Sequence, residues 1–200
     1  PQVQTIREIL DQKAQAFITN LENLPHTLNQ LKNLPHLVIT DSQVFKEVEK
    51  KVPNNIFLTS FSILFSYYKG ELLPLIQGIK KIKSLKKEDT ILIAEACSHH
   101  AQADDIGRVK IPLWLSQHLG FKPTFDFSSG KNFPNNLSSY ALAIQCGGCM
   151  INKKEMEFRI KTAQKAQVPM VNYGMLIAYL NGILNRSLEI FNFHETQIKA

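Results

Sequence analysis

The residues best suited to chemistry are the three cysteines of this 200-residue chain, Cys97, Cys146 and Cys149. Cys97 and Cys146 each follow an apolar run, residues 90–96 and 140–145, of the kind that forms a buried strand. Cys146 and Cys149 enclose two glycines, which permit a tight turn and let both sulfurs face one point. Ligands of open α/β sheets bind beyond the carboxyl ends of the strands. The sequence therefore predicts that the three thiols meet at one edge of a sheet.

Three thiols at one place are compatible with several kinds of site. One is an iron–sulfur cluster held by three thiolates, with one iron left to a non-cysteine or exchangeable ligand. A second is a zinc site in which His99 or His100 completes a set of three Cys and one His. A third is a redox-active Cys-x-x-Cys pair, with Cys97 as a bystander. The plainest interpretation is three buried cysteines acting as small hydrophobic residues. The residue pattern alone favours cluster and zinc equally.

The composition is that of a globular protein and excludes several classes. The chain is 44% hydrophobic and 20% charged, and 200 residues fit one large domain or two small ones. No apolar run approaches the ~20 residues that span a bilayer, and the N-terminus does not resemble a signal peptide. An odd number of cysteines argues against a disulfide framework. We expect a cytoplasmic protein with no membrane partner.

The net charge of +6 comes largely from a run of lysines. These are Lys80, Lys81, Lys83, Lys86 and Lys87, on a predicted helix and the connection after it. A nucleic-acid surface would combine such charges with interleaved aromatic residues or a known binding motif, and this run has neither. The run is interpreted as a solvated face, and no nucleic-acid partner is predicted.

The first half of the chain predicts three repeats of strand and helix. After a helix over residues 2–13, strands are expected at three places, residues 14–20, 36–40 and 56–59. A helix follows each strand, and the last helix runs over about 71–83. Alternation of this kind is typical of a small parallel sheet covered by helices. The polar stretch 84–89 marks a boundary, which gives a first domain over residues 1–84.

The second half, residues 85–200, repeats this pattern. Strands are expected at four places, residues 90–96, 124–127, 140–145 and 168–172. Helices are expected at three places, residues 111–119, 153–166 and 173–191, with Gly120 and Asn152 as a C-cap and an N-cap. The predicted fold class is therefore α/β, with two small domains that each contain a mostly parallel sheet and covering helices.

The loop that follows Cys97 carries a longer pattern, Cys97-Ser98-His99-His100 and then residues 104–112. Together with the Cys-Gly-Gly-Cys segment at 146–149, it resembles the HydF family, the scaffold GTPases of FeFe-hydrogenase maturation. The cluster motif of that family is Cys-x-His, followed much later by His-Cys-x-x-Cys. Four further stretches are similar to the family, residues 41–43, 59–65, 95–112 and 168–174. The resemblance thus covers nearly the whole chain.

The resemblance implies a dimerisation domain at 1–84 and an iron–sulfur cluster domain at 85–200. It implies a 4Fe–4S cluster on Cys97, Cys146 and Cys149, with an open or exchangeable fourth iron site, and a di-iron precursor of the hydrogenase active site as cargo. The implied partners are a second copy of the chain through the first domain, the apo FeFe-hydrogenase and the radical-SAM maturases. The chain is expected to be a scaffold and not an enzyme. The alternative function is a zinc-stabilised interaction module or a Cys-x-x-Cys thiol redox protein.

The chain departs from the family pattern in two respects. Gln145 stands where the family commonly has a histidine, and it is expected to be a fourth ligand or a supporting neighbour. His99, Glu95, water or an exogenous molecule are the other candidates for the fourth position, and His99 is favoured as a hydrogen-bond partner of the site. No Gly-x-x-x-x-Gly-Lys-Ser/Thr phosphate loop occurs, so GTP hydrolysis is not expected and the chain is interpreted as a shortened family member.

Two other groups near the predicted strand ends have less specific roles. Asp104, Asp105 and Arg108 are expected either to line an acceptor surface beside the cluster or to form a capped turn before the next helix. Tyr173 follows the last predicted strand and is interpreted as a packing residue.

Overall fold

The fold of this chain is taken from a computed structural model that describes residues 1–70, 72–97 and 105–193. It contains two parallel sheets, of two and four strands, with helices packed against them. The predicted α/β fold class is confirmed. Among the described residues, none of the helices combines the length and the apolar character needed to cross a bilayer.

The smaller sheet pairs β1 (Leu37–Thr40) with β2 (Phe57–Ser60), with Leu37 opposite Phe57. The helices described over residues 1–70 are α1 (Gln2–Asp11), α2 (Leu24–Gln30), α3 (Phe45–Glu49) and α4 (Phe61–Lys69). The side chain of Ser60 accepts a hydrogen bond from the backbone N–H of Ile63, which fixes the start of α4 directly after β2.

The predicted strand at 14–20 is wrong. These residues form no strand, and Phe17 and Ile18 are 60% and 77% exposed. The apolar residues that suggested a strand have no neighbouring strand to pair with, and a strand gains its stability from such pairing. The segment instead lines a cavity of about 420 Å³, together with residues of α1, α2 and β1.

The larger sheet has the strand order β4-β3-β5-β6, and all its neighbours are parallel. Its strands are β3 (Thr90–Glu95), β4 (Thr124–Ser129), β5 (Leu142–Gln145) and β6 (Met170–Asn172). The central strands β3 and β5 are buried almost throughout, which explains their continuous apolar sequence. The helices of this half are α5 (Leu72–Ile82), α6 (Ile111–Leu119), α7 (Lys153–Lys165), α8 (Tyr173–Leu180) and α9 (Leu184–Leu188).

Two predicted caps of this half are present, and one predicted helix is divided. Gly120 ends α6 with a left-handed φ of 76°, and the side chain of Asn152 accepts from the backbone N–H of Glu155 at the start of α7. The helix predicted over 173–191 breaks at Gly182, whose φ of 75° is outside the helical region. It becomes α8, α9 and a final 3-10 turn.

Helix α5 packs against β6 of the larger sheet, although the sequence analysis assigned it to the first domain. The approach is close at Gly78, where an added Cβ would lie 1.9 Å from the carbonyl oxygen of Met170. Helix α4 also packs on α7 and α8 of the second half. The domain boundary at 84 stays a prediction.

Candidate metal centre

The sheet topology brings the cysteine segments to one edge. Strands β3 and β5 are parallel neighbours, with Ala94 opposite Gln145, so the residues that follow them emerge side by side. The backbone N–H of Ala96 donates a 3.0 Å hydrogen bond to the Sγ atom of Cys146. All three cysteines line one cavity of about 230 Å³ at this edge. The structure thus brings Cys97, Cys146 and Cys149 together around one space.

The turn between Cys146 and Cys149 depends on both of its glycines. Gly148 has a φ of 67°, and an added Cβ would lie 2.4 Å from the Cε atom of Met156 on α7. A Cβ on Gly147 would lie 3.2 Å from the Cα atom of Ser62 on α4. The Cys-x-x-Cys segment therefore passes between α4 and α7, where side chains larger than hydrogen would meet backbone or packed atoms.

Lys69, the last residue of α4, holds this turn from the other side. Its Nζ atom donates to the carbonyl oxygens of Gly148 at 2.7 Å, Cys149 at 3.2 Å and Ile151 at 2.6 Å. The side chain is 8% exposed. Burial lowers the pKa of Lys69, while the nearby Cys149 and Cys146 charges raise it. The arrangement places a buried ammonium group next to two thiols of the site.

Opposing effects act on the pKa of the Cys146 thiol. Burial is the main cause that raises the pKa of Cys146, and charges on Cys97 and Cys149 raise it further. Hydrogen bonds from the backbone N–H groups of Gly148 and Ala96 act in the other direction. The thiol is thus protonated in the metal-free protein, and the N–H donors are already placed to stabilise a thiolate when a metal displaces the proton.

Gln145 is fully buried beside the Cys146 sulfur, and its orientation is set by Arg159. The Oε1 atom of Gln145 accepts a 3.2 Å hydrogen bond from Nη1 of Arg159, which has only donors. The Nε2 atom then faces Cys146, 3.5 Å from its Sγ atom and 3.3 Å from its carbonyl oxygen. Gln145 therefore presents an N–H group to the sulfur, which favours the predicted supporting role over the predicted role as a ligand.

Arg159 is a buried residue that the sequence analysis missed. It is 1% exposed, donates to Glu155 at 2.8 Å and to the carbonyl oxygens of Gly130 at 2.6 Å and Glu95 at 3.4 Å, and lies 4.9 Å from the centre of the Phe133 ring. Because α7 is rich in charged residues, the sequence suggests that Arg159 is solvated like the others. Its helical spacing indicates burial instead, because it shares a helix face with the buried residues Met156, Ile160 and Ala163.

Two acidic residues, Glu95 and Asp105, line the same cavity as the cysteines. Glu95 is 4% exposed, and its carboxylate accepts a 3.2 Å hydrogen bond from Nε of Arg108. Asp105 accepts from the backbone N–H of Arg108 at 2.8 Å and so caps the single π-helical turn that precedes α6. Of the two predicted roles for this segment, the capped turn is confirmed.

Tyr173 lines the same cavity as the thiols and the acidic residues. The side chain is 8% exposed, and its hydroxyl has no hydrogen-bond partner in the part of the chain that the structure describes. Burial raises the pKa of Tyr173 well above its ordinary value, and charges on Cys146, Glu95 and Asp105 raise it further. The hydroxyl therefore keeps its proton at neutral pH.

The surroundings of the thiols fit a thiolate-bound group of negative charge. Backbone and side-chain N–H groups point at Cys146, and the Lys69 ammonium lies beside the turn. In residues 1–70, 72–97 and 105–193, no three His, Cys, Asp or Glu side chains are gathered closely enough to hold a single metal ion. His99, the other predicted candidate, lies outside the described residues, as do His100 and Asp104.

Comparison with known proteins agrees with the resemblance noted in the sequence. The family model described as the hydrogen maturase F tetramerization domain matches residues 73–190, and the model described as the hydrogen maturase F dimerization domain matches residues 1–70. No curated protein matches the chain. Both matched domains are self-association domains of the family and neither is its GTPase domain. The chain therefore belongs to the hydrogen maturase F family, HydF.

Proposed function

We propose that this chain is a cluster-binding scaffold in FeFe-hydrogenase maturation. Cys97, Cys146 and Cys149 would bind a 4Fe–4S cluster whose fourth iron is open or carries an exchangeable ligand, and the chain would carry a di-iron precursor to the hydrogenase. The observation that carries the proposal is the set of three thiols, without a fourth cysteine in the chain, around one cavity at the carboxyl edge of a parallel sheet. When bound, such a cluster supplies one iron that can take and release a ligand.

The residues around the thiols have defined tasks in this proposal. Ala96 and Gln145 direct N–H groups at the Cys146 sulfur, which stabilises a thiolate and raises the reduction potential of a group bound to it. Lys69 places a positive charge beside the turn and fixes three of its carbonyl groups. These contacts hold the ligands in place before any metal arrives, which reduces the cost of assembly.

A cluster is compatible with the cavity that the thiols share. All three cysteines line one space of about 230 Å³, and a cage of four irons bridges sulfurs that lie further apart than the ligands of a single zinc ion. Metal analysis of the reconstituted chain separates the two alternatives.

Self-association suits a carrier of this kind. The matched family models describe dimerization and tetramerization domains. Helix α4 carries Tyr68, which is 67% exposed, one residue before the Lys69 that holds the cysteine turn. An interface formed on α4 would therefore act directly on the metal centre, and the apo-hydrogenase and the radical-SAM maturases are the proposed further partners.

Anaerobic reconstitution with iron and sulfide tests the proposal. We expect about four irons and four sulfides per chain, and a reduced state with the EPR signal of a cubane cluster. The Cys97→Ser variant should lose the cluster. The control is Met150→Ala, which removes an exposed sulfur-containing side chain next to Cys149 and should keep the cluster. One zinc and no iron per chain, or dithiol redox activity that survives Cys97→Ser, would contradict the proposal and favour the zinc module or the redox protein.

A further inference from the structure

The solvent-facing side of α7 carries an exposed aromatic residue between lysines. Four exposed residues of this helix are spaced by three or four positions and so lie in one stripe along it, Lys154, Phe158, Lys161 and Lys165. The Phe158 side chain is 48% exposed, whereas the opposite side of the helix is buried. These four residues, here called the α7 stripe, extend over about 16 Å of the helix.

The three lysines of the α7 stripe form no ion pair within the part of the chain that the structure describes. Both carboxylates of α7 already have other partners. Glu155 lies 2.8 Å from Arg159, and Glu157 lies 3.9 Å from Lys153. The positive charge of the stripe is therefore left for a group outside the described residues to balance.

Two local features make these lysines unfavourable for the helix itself. Lys161 and Lys165 are one helical turn apart, where like charges repel each other. Lys154 lies in the first turn of α7, where the helix dipole disfavours a cation. Residues that break local rules without a compensating contact are expected at functional surfaces. A negatively charged partner would turn both repulsive contacts into attraction.

The buried side of the same helix supports the cysteine site. The Cε atom of Met156 is the atom that a Cβ on Gly148 would meet. Arg159 donates to Gln145, which lies beside the sulfur of Cys146. A partner seated on the α7 stripe is therefore separated from the cysteine turn by the width of one helix, about 10 Å.

We propose that the α7 stripe is the docking surface for the protein that receives the cargo, and that this partner presents carboxylates around an apolar recess for Phe158. The proposal rests on the proposed function, because it assigns a surface to one of the partners named there. A central aromatic side chain with charges at the rim is a common composition of protein–protein interfaces. Two copies of this chain would set lysine against lysine at this surface, and a single aromatic ring offers little for stacking the bases of a nucleic acid.

The probe is the apo FeFe-hydrogenase, whose binding to the reconstituted chain is measured by biolayer interferometry at about 50 and 300 mM KCl. The unmodified chain should bind more weakly at the higher salt, because the lysines are exposed. Phe158→Ser should raise the dissociation constant about tenfold or more, as for a residue at the centre of an interface. The double variant Lys161→Glu with Lys165→Glu should raise it about as much at low salt and remove most of the salt dependence. Iron content should stay unchanged in both.

Each variant has a matched control outside α7. The double variant Lys86→Glu with Lys87→Glu changes two exposed lysines and alters the net charge by the same amount. Leu113→Ser removes an apolar side chain of α6 that is 52% exposed. Both controls should bind the hydrogenase like the unmodified chain. Equal weakening by the two double variants would reduce the effect to overall charge and overturn the docking surface, and so would unchanged binding by Phe158→Ser.

Two other occupants of the α7 stripe are outcomes of the same experiment. A smaller assembly for Phe158→Ser than for Leu113→Ser, measured by light scattering, would identify the stripe as a contact between copies of this chain. Tighter binding of a short polyuridine than of the hydrogenase would identify it as a nucleic-acid surface. Either result would overturn the proposal.

A second measurement uses the unmodified chain and so does not depend on the folding of a variant. Brief acetylation of the lysines, followed by mass spectrometry, should show Lys161 and Lys165 protected when the hydrogenase is bound and Lys86 and Lys87 unprotected. Equal modification of all four lysines in the complex would overturn the docking surface. A chain that holds its cluster but binds no hydrogenase would also overturn the docking surface alone. A chain that assembles no cluster would overturn the proposed function itself.

Discussion

The Nζ atom of Lys69 donates a 2.7 Å hydrogen bond to the carbonyl oxygen of Gly148, and so ties the end of α4 to the turn between two of the cysteines. A second tie runs from α4 to the larger sheet, since Asn172 donates to the hydroxyl of Ser62 at 3.1 Å. The half of the chain that matches the dimerization domain is thus in direct contact with the candidate metal centre. A change in self-association that moves α4 would therefore be transmitted to the cysteines through these two hydrogen-bond contacts.

Replacing Lys69 with methionine should weaken both the fold and the metal centre. The change keeps the length of the side chain but removes the Nζ donor that the carbonyl groups of Gly148, Cys149 and Ile151 share. The Gly148 carbonyl keeps a 3.3 Å hydrogen bond from the backbone N–H of Ile151. We expect the free energy of unfolding to fall by about 2–4 kcal/mol in chemical denaturation. In reconstituted protein the midpoint reduction potential should become more negative, because a positive charge beside the thiolates has been removed.

Lys154→Met is the control for this change, because Lys154 is an exposed residue of α7. It should alter the unfolding free energy by less than about 0.5 kcal/mol. If both variants have the same stability and the same potential, Lys69 does not hold the turn.

Removing the carboxamide of Gln145 should separate its two predicted roles. In the structure, Gln145 donates towards the sulfur of Cys146 and does not offer its oxygen, which is bound to Arg159. Gln145→Leu should therefore retain the cluster but lower its reduction potential, through loss of an N–H···S contact. The potential is measured by EPR-monitored redox titration. Gln164→Leu, at an exposed position of α7, should leave it unchanged.

A different result is expected if Gln145 is an iron ligand. Gln145→Leu would then change the g-values and the cyanide affinity of the cluster as well as its potential. That outcome would contradict the supporting role. Arg159→Met should lower the reduction potential in the same way. It should also destabilise the fold by about 3 kcal/mol or more, because the partly buried carbonyl of Gly130 loses the donor Arg159 as well.

Substitution of Gly148 by alanine should block assembly of the metal centre. The added Cβ meets Met156 at 2.4 Å, and the left-handed φ of 67° adds backbone strain. Gly120→Ala is a matched control, because Gly120 has a similar φ of 76° with nothing within 4 Å of an added Cβ. Backbone strain alone should cost about 1 kcal/mol in Gly120→Ala, and iron binding should stay intact.

The difference in unfolding free energy between the Gly148→Ala and Gly120→Ala variants gives the packing cost at Gly148. We expect Gly148→Ala to lose a further 1–3 kcal/mol or so of unfolding free energy and most of its bound iron. Equal stability and equal iron content in both variants would show that the contact with Met156 is unimportant.

The stability of the metal-free protein should fall in alkaline solution. Burial raises the pKa of Cys146 above its unfolded value, so the folded state holds this proton more tightly than the unfolded chain. The resulting stabilisation is fully present below the unfolded thiol pKa and is lost as the pH rises through the folded pKa. Denaturation measured between pH 7 and 10 should show this decline. Cys146→Ala should flatten it, and an unchanged slope in that variant would contradict the assignment.

The fold class and the approach of the cysteine segments at one edge of the sheet were predictable because they depend on local patterns. The apolar runs before Cys97 and Cys146 are strands in the structure, and parallel strands place their carboxyl ends at one edge. Asn152 and Gly120 also act as predicted, because caps depend on one or two residues. The segment 14–20 failed because its pattern contained no information about a neighbouring strand.

The supporting residues of the site were not predictable in the same way. Lys69 lies 79 positions from Gly148, and Arg159 lies 14 positions from Gln145, and both look like ordinary charges at the surface of a helix. Tyr173 was interpreted as a packing residue, which describes its burial but not its unpartnered hydroxyl. The helical spacing of Arg159 indicates that it is buried, but not which atoms it contacts. Such contacts arise from the packing of α4, α7 and α8 around the turn.

The most direct test of the central claim is the Mössbauer spectrum of the chain reconstituted with ⁵⁷Fe. A 4Fe–4S cluster on Cys97, Cys146 and Cys149 with one exchangeable position predicts two kinds of iron in a ratio of about 3:1. The minor component should shift when cyanide is added, while the major component stays in place. Four equivalent irons that ignore cyanide, or a chain that takes up zinc and no iron, would contradict the account.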